Sequence, residues 1–164
     1  MPDQKIRKIS GLKKILGRLR VQGKKIVFTN GCFDILHVGH IRYLRKAKSL
    51  GDILVVGMNT DRSVKTIKGE KRPIVPEKER AEVLSALEFV DYIILFDESD
   101  PLNLIVALKP DVLVKGADWS KDRIIGGEAV ENLGGRVVRV PMVPGASSTG
   151  LIEKIKKAYG NGES

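Results

Sequence analysis

A chain of 164 residues, 42% hydrophobic and 30% charged, can bury the core of one globular domain and is too evenly mixed to be disordered or fibrous. One cysteine excludes an internal disulfide framework; no opening apolar run resembles a signal peptide and none is long enough to cross a bilayer, so a soluble, cytoplasmic protein is expected. The net charge of +9 is uneven: residues 1–25 hold nine basic side chains against Asp3 alone, while the other 139 hold twenty basic and nineteen acidic ones.

That basic segment, residues 1–24, carries Ile6, Ile9, Leu12, Ile15, Leu16 and Leu19 at helical spacing, which predicts an amphipathic helical extension packed on the domain with its lysines in water. No aromatic residues interleave with the charges, so a solvated face is favoured over a nucleic-acid patch. Residues Lys25 to Asn30 read as a first strand, and Val38 to about Leu50 as a helix closed by Gly51 in the position of a left-handed C-cap. The continuous apolar run Ile53 to Met58 is a strand buried on both faces. Asn59-Thr60-Asp61 caps a short helix to about Ile67, followed by a polar basic loop, Lys68 to Pro73. A helix over Glu77 to Glu88, a strand over Asp91 to Phe96, a helix over Pro101 to Leu108 and a strand over Val112 to Lys115 continue the alternation. A helix around Gly127 to Leu133, a strand from Arg136 to Pro141 and a helix from Leu151 to Ala158 complete it, with a frayed tail over 160–164. The pattern predicts an α/β domain over 25–159: a doubly wound, five-stranded parallel sheet that binds ligands at the carboxyl ends of its strands.

The stretch Thr29 to His40 joins the first strand to its helix and contains both histidines of the chain, His37 and His40. Three residues apart at a helix start, they share a face beside backbone N–H groups that have no intrahelical partner, a setting suited to an anion. Gly31 lets the backbone pass close to a ligand, and Gly39 removes a side chain between the rings. Structural hydrogen bonds are the plainer alternative. A zinc site with Cys32 lacks further His or Cys ligands. Neither a P-loop nor a GxGxxG motif is present, so phosphate binding falls to the histidines.

Within Gly31-Cys32-Phe33-Asp34-x-Leu36-His37-x-Gly39-His40, the His-x-Gly-His core resembles the signature of the HxGH nucleotidyltransferase superfamily, in its cytidylyltransferase-like branch. Thr29-Asn30-Gly31-Cys32-Phe33-Asp34, Lys68-Gly69-x-x-Arg72-Pro73-Ile74, Leu113-Val114-Lys115-Gly116-x-Asp118 and Ser147-Ser148-Thr149 extend the resemblance to the adenylyltransferases that make ADP-heptose. The resemblance implies a Rossmann-like sheet of the HUP type. It implies condensation of ATP with D-glycero-β-D-manno-heptose 1-phosphate, with release of pyrophosphate, by in-line attack without a covalent intermediate, for lipopolysaccharide core precursors. In many bacteria that activity sits beside a sugar kinase on a longer chain, and a stand-alone form is expected at this length. A cytidylyltransferase acting on glycerol 3-phosphate, and a non-catalytic nucleotide- or nucleic-acid-binding domain, are the alternatives.

By this resemblance His37, His40 and Lys68 are catalytic. Asn30, Gly31, Cys32, Phe33, Gly39, Lys65, Arg80, Lys115, Gly116, Asp118, Ser147, Ser148 and Thr149 bind the nucleotide, and Mg²⁺ is the expected cofactor. Lys65 and Lys68 follow the second strand, near enough to close over phosphates or else to remain a solvated basic segment. Arg80 serves the site, a dimer contact or a surface ion pair, and Asp34 holds the metal or orients the loop, with capping of the turn as the plainer alternative. Cys32 reads as a packed residue rather than a nucleophile, and Trp119 as a base-stacking residue or a cover for the core edge. Ser147 to Thr149 are also an ordinary N-cap signal; relatives often carry a larger polar residue where this chain has Gly150. The expected partners are ATP and a sugar 1-phosphate, with no nucleic acid and no membrane; relatives are often dimeric, which the sequence leaves open.

Overall fold

The computed structural model describes residues 4–160; residues 1–3, and residues 161–164 of the tail read as frayed, lie outside the described residues. In chain order the elements are α1 (Ile9–Val21), β1 (Ile26–Gly31), α2 (Val38–Lys48), β2 (Ile53–Asn59), α3 (Asp61–Lys68), α4 (Glu77–Ser85) and β3 (Tyr92–Phe96). Then come α5 (Leu102–Leu108), β4 (Val112–Gly116), a 3-10 turn (Lys121–Arg123), α6 (Gly127–Asn132), β5 (Arg136–Val140) and α7 (Ser148–Tyr159). The five strands are parallel in the order β3-β2-β1-β4-β5, the doubly wound arrangement that the alternating pattern predicts.

Strand residues alternate between the two faces, and each face has its own core. Val27, Leu54, Val56, Met58 and Ile93 pack with Leu44 and Ala47 of α2 and with Ala81 and Leu84 of α4. Ile26, Phe28, Val55, Ile94 and Leu113 pack on the other face with Leu12 and Leu16 of α1 and with Leu104, Ile105 and Leu108 of α5. Each of these large side chains withdraws apolar area worth about 1.5–3 kcal/mol from water. The basic side chains Lys13, Lys14 and Arg18 lie on the exposed side of α1. No helix among the described residues is long and apolar enough to cross a membrane.

Two sequence expectations are corrected here. The stripe of α1 begins at Ile9, because residues 5–7 run extended along the outer edge of β3. There the Arg7 amide donates to the Ile93 carbonyl at 2.9 Å and the Ile93 amide donates to the Lys5 carbonyl at 2.8 Å. Ile6 has helical spacing, but an open strand edge gave its backbone better partners. Gly51, read as a left-handed C-cap, is not among the positive-φ residues. Space is the reason for glycine there: a Cβ would lie 2.6 Å from Val27 Cγ2 and 2.9 Å from the Lys25 carbonyl oxygen.

The topology places the site. β1 pairs with β2 along its whole length to Gly31, but with β4 only at Val27 and Phe28. Past that point β1 and β4 separate, at the position where the strand order reverses and a crevice opens. Tyr43 spans the gap, its hydroxyl accepting from Thr29 Oγ1 at 2.7 Å and donating to the Val114 carbonyl at 3.1 Å.

Candidate active site

The loop after β1 is held from below. Asp34 is 3% exposed; its carboxylate accepts from Arg72 Nε at 2.6 Å and from the amides of Ile74 and Val75 at 2.9 and 2.8 Å. Burial pushes its pKa up, and the amides of Val75 and Ile74 with the Arg72 guanidinium more than offset this, leaving it below the ordinary carboxylate range. With its oxygens so engaged, Asp34 orients the loop, latching residues 69–76 to the turn after β1. No group of three or more side chains placed to hold a metal ion occurs among the described residues. Since a depressed carboxylate pKa stabilises the fold above its unfolded value, the latch contributes at neutral pH and is lost as acid protonates it, below pH 3.8. Asp34→Asn should therefore lower stability by about 2–4 kcal/mol at pH 7, read from the urea midpoint, and by less as the pH falls below 3.8. An equal loss across that range would contradict the latch.

The next residues cap α2. His37 is the N-cap, with Nδ1 accepting from the Gly39 amide at 3.1 Å, while the His37 amide donates to His40 Nδ1 at 3.3 Å. This is a capping box built from two imidazoles. A ring whose Nδ1 accepts carries its proton on Nε2, so both neutral rings keep an Nε2–H donor free of the cap. Their centroids are 3.9 Å apart. Burial lowers the pKa of His37, and burial followed by the neighbouring His37 brings His40 down to about 4. The sequence left the protonation states open, and the geometry makes both rings neutral. Gly39 is required by the closeness of the packing, since a Cβ would lie 2.8 Å from His37 Cε1 and 3.1 Å from the Ala146 Cβ.

A depressed histidine pKa favours the fold in its neutral form, so stability is complete above pH 6.5 and declines as the pH falls towards about 4. The decline in urea midpoint between pH 7 and pH 5 should be shallower in His40→Ala than in the parent chain. An unchanged slope would show that His40 does not titrate in this way.

Arg80 is fully buried and read from sequence as a nucleotide contact; it does not line the cleft. Its Nε donates to the Val75 carbonyl at 2.9 Å, Nη1 to the carbonyls of Cys32 at 2.6 Å and Asn59 at 2.9 Å, and Nη2 to Asp61 Oδ1 at 2.7 Å. Arg80 is thus a positioning residue that joins three loops beneath the site. Lys65, read from sequence as lying in a loop, is on α3, solvent-exposed and outside the lining of the cleft. Lys68, the last residue of the same helix, does line it.

On the other side of the crevice, Lys115 Nζ donates to Asn30 Oδ1 across the gap between β4 and β1. Burial lowers its pKa to about 8, against the opposing effect of Asp118. If this ammonium meets phosphate, log kcat/KM for the nucleotide should bend downward near pH 8 in the parent chain and stay level there in Lys115→Arg. A bend retained in the variant would assign it to another group. Gly116 leaves room for Asp118 Oδ1, 2.5 Å from a Cβ position, and for Met142 Sδ at 2.7 Å.

α7 closes the end of the cleft. Ser147 is its N-cap, accepting from the Gly150 amide at 2.9 Å, and Ser148 Oγ donates to the Ile35 carbonyl at 3.0 Å, tying the helix to the loop after β1. At Gly150 a Cβ would come 2.8 Å from the capping Ser147 Oγ.

Together these elements enclose a cleft of about 530 Å³, lined by Asn30, Gly31, Cys32, Phe33, Asp34, His37, Gly39, His40, Lys68, Lys115, Gly116, Asp118, Ser147, Ser148 and Thr149. Thus four segments separated in sequence meet, and Lys65 and Arg80 are the exceptions among the candidates. Also in the lining are Tyr43, Asn59, Arg72, Trp119 and the Ser99-Asp100-Pro101 turn. Tyr43 was detectable as the residue one turn beyond His40; nothing local marks Ser99 to Pro101. Neutral N–H donors, a buried ammonium and the open turn of α7 suit an extended polyanion.

Comparisons with known proteins agree with this reading of the fold. A family model described as cytidylyltransferase-like matches residues 28–153. A protein named bifunctional protein HldE from Geobacter metallireducens is 55% identical over 158 residues, covering 96% of this chain and 32% of the relative. Another of the same name from Geobacter sulfurreducens is 54% identical over equal shares. The chain thus spans about a third of the length of these curated relatives. A solved structure described as the lipopolysaccharide core biosynthesis protein from Thermoplasma volcanium superposes with a TM-score of 0.60 at 36% identity, covering 74% of this chain and 98% of that one. A pantoate-beta-alanine ligase from Francisella tularensis, at 20% identity and a TM-score of 0.61, covers 94% of this chain and 77% of its own and shares the fold.

Proposed function

The chain belongs to the cytidylyltransferase-like family of nucleotidyltransferases, and from that premise we propose that it condenses ATP with D-glycero-β-D-manno-heptose 1-phosphate, giving ADP-heptose and pyrophosphate for lipopolysaccharide core precursors. The observation that carries the reading is the reciprocal capping of His37 and His40, which leaves two neutral Nε2–H donors in a cleft that also holds Lys68, Lys115 and the first turn of α7. The ADP-heptose assignment is supported by the motifs shared along the chain and by the relatives named above.

In this reading a phosphate oxygen of the sugar 1-phosphate attacks the α-phosphorus of ATP in line. The bond from that phosphorus to the bridging oxygen breaks, and the electron pair leaves with pyrophosphate. The nucleophile is already an anion, so no side chain has to remove a proton, and the cleft works by positioning and charge stabilisation. His37 and His40 donate to the α- and β-phosphate oxygens as charge grows on them. Lys68 and Lys115 supply point charges, and Ser147 to Thr149 with the open amides of α7 hold the far end of the triphosphate. Mg²⁺ bound with the nucleotide would supply charge neutralisation for the leaving pyrophosphate; among the described residues no group of three or more side chains is placed to hold it, so the nucleotide phosphates would be its main ligands.

The test is pyrophosphate release measured with each of the four nucleoside triphosphates against heptose 1-phosphate and glycerol 3-phosphate. The proposal expects ATP with heptose 1-phosphate to dominate. Activity with CTP and glycerol 3-phosphate alone would replace it with a cytidylyltransferase.

A further inference from the structure

The cleft continues beyond the histidines, past Lys68, to the carboxyl ends of β2 and β3, where Asn59 and the turn Ser99-Asp100-Pro101 form its wall. The nucleotide contacts proposed above lie mainly on the β1, β4 and α7 side, and leave this end unassigned. The segment entering the turn is held by a polar network. Thr60 Oγ1 donates to Asp97 Oδ1, Asn59 Nδ2 donates to Ser63 Oγ at 2.9 Å, and Ser63 Oγ donates to the Glu98 carbonyl at 2.7 Å. Asn59 and Ser63 are 3% and 1% exposed, so the segment Asp97-Glu98 that leads into the turn is tied to the end of β2 and to α3. Asp100 spends one oxygen on the Leu102 amide, at 2.9 Å. That arrangement orients the carboxylate and leaves its second oxygen free of any bond among the described residues.

We propose that this turn is the acceptor wall, and that Asp100 reads the hydroxyl groups of a polyhydroxylated acceptor whose phosphate is held by Lys68. The inference rests on the adenylyltransferase reading and adds the residue that sets acceptor specificity. A half-buried carboxylate accepts two hydroxyl hydrogens at once, and an acceptor without them leaves it unpaired, which penalises the poorer substrate. Ile125, 42% exposed and part of the lining of the same cleft, offers an apolar surface for the C–H face of a sugar ring.

Asp100→Asn keeps an acceptor oxygen for the Leu102 amide and removes the charge, so the turn should persist. Steady-state kinetics of the full chain should show KM for heptose 1-phosphate raised at least ~10-fold, with KM for ATP within about twofold of the parent value. The preference of the parent chain for heptose 1-phosphate over a deoxy analogue should shrink in the variant by a similar factor. An unchanged acceptor KM, or a rise in the KM for ATP instead, would overturn the assignment. A parent chain inactive with heptose 1-phosphate would instead remove the underlying reading, so the two failures are distinct.

Discussion

His40→Ala is expected to lower turnover at least ~10²-fold while the chain remains folded, the usual scale for losing one donor to a transition-state oxygen. The ring does two things: Nδ1 accepts from the His37 amide at 3.3 Å and Nε2–H is left for ligand. The first role is structural and modest, since removing a cap costs about 1 kcal/mol. The second is electrostatic and falls on the reaction alone, so kcat should fall far more than stability. His37→Ala removes the partner of the same capping box, and its effect should not add to that of His40→Ala, because each ring orients the other. The checks are single-turnover rates together with a urea unfolding curve for each variant. Near-normal turnover by a well-folded His40→Ala chain would remove the histidines from the chemistry.

The second large effect belongs to Arg80. Its guanidinium serves three carbonyls and one carboxylate, from Val75, Cys32, Asn59 and Asp61. Arg80→Ala leaves those carbonyls without their donor and Asp61 without its ion pair, and should cost about 3–5 kcal/mol in urea unfolding. If the alanine variant fails to fold, Arg80→Lys tests the same claim. A single ammonium lacks the planar fork and cannot reach both the Val75 and Asn59 carbonyls with good geometry. This variant should fold with reduced stability and a lower kcat, because the loop carrying Cys32 and Phe33 shifts against the cleft. Parental stability and activity in both variants would show that the buried network positions nothing.

These two residues also mark how far the sequence could be read. The βα alternation and the five strands followed from periodicity, which is local, while the grouping of the histidine loop with Lys115 and Ser147 to Thr149 was implied by the resemblance that the motifs carry. Ile6 was misplaced because its spacing from Ile9 and Leu12 fits a helix, while the open edge of β3 is visible only once the sheet exists. Arg80 was read as a ligand contact because an arginine between glutamates says nothing about its acceptors. Three of its four acceptors, Asp61, Asn59 and Cys32, lie 19, 21 and 48 residues away in sequence. Asp34 was read as a metal ligand or a turn cap for the same reason, since its bonds to Arg72, Ile74 and Val75 cross about forty residues. The histidine protonation states depended on which backbone amides the Nδ1 atoms accept from, and that also required coordinates.

The central claim is that this cleft transfers the adenylyl group of ATP to a sugar 1-phosphate. Its most direct test follows the label of ATP marked at the α-phosphorus, incubated with the purified chain, Mg²⁺ and heptose 1-phosphate. The account predicts label in ADP-heptose, matched one to one by pyrophosphate, dependent on the acceptor and lowered at least ~10²-fold in His40→Ala. A folded parent chain that leaves all label in ATP, or releases it as free AMP or ADP whether or not acceptor is present, would contradict it.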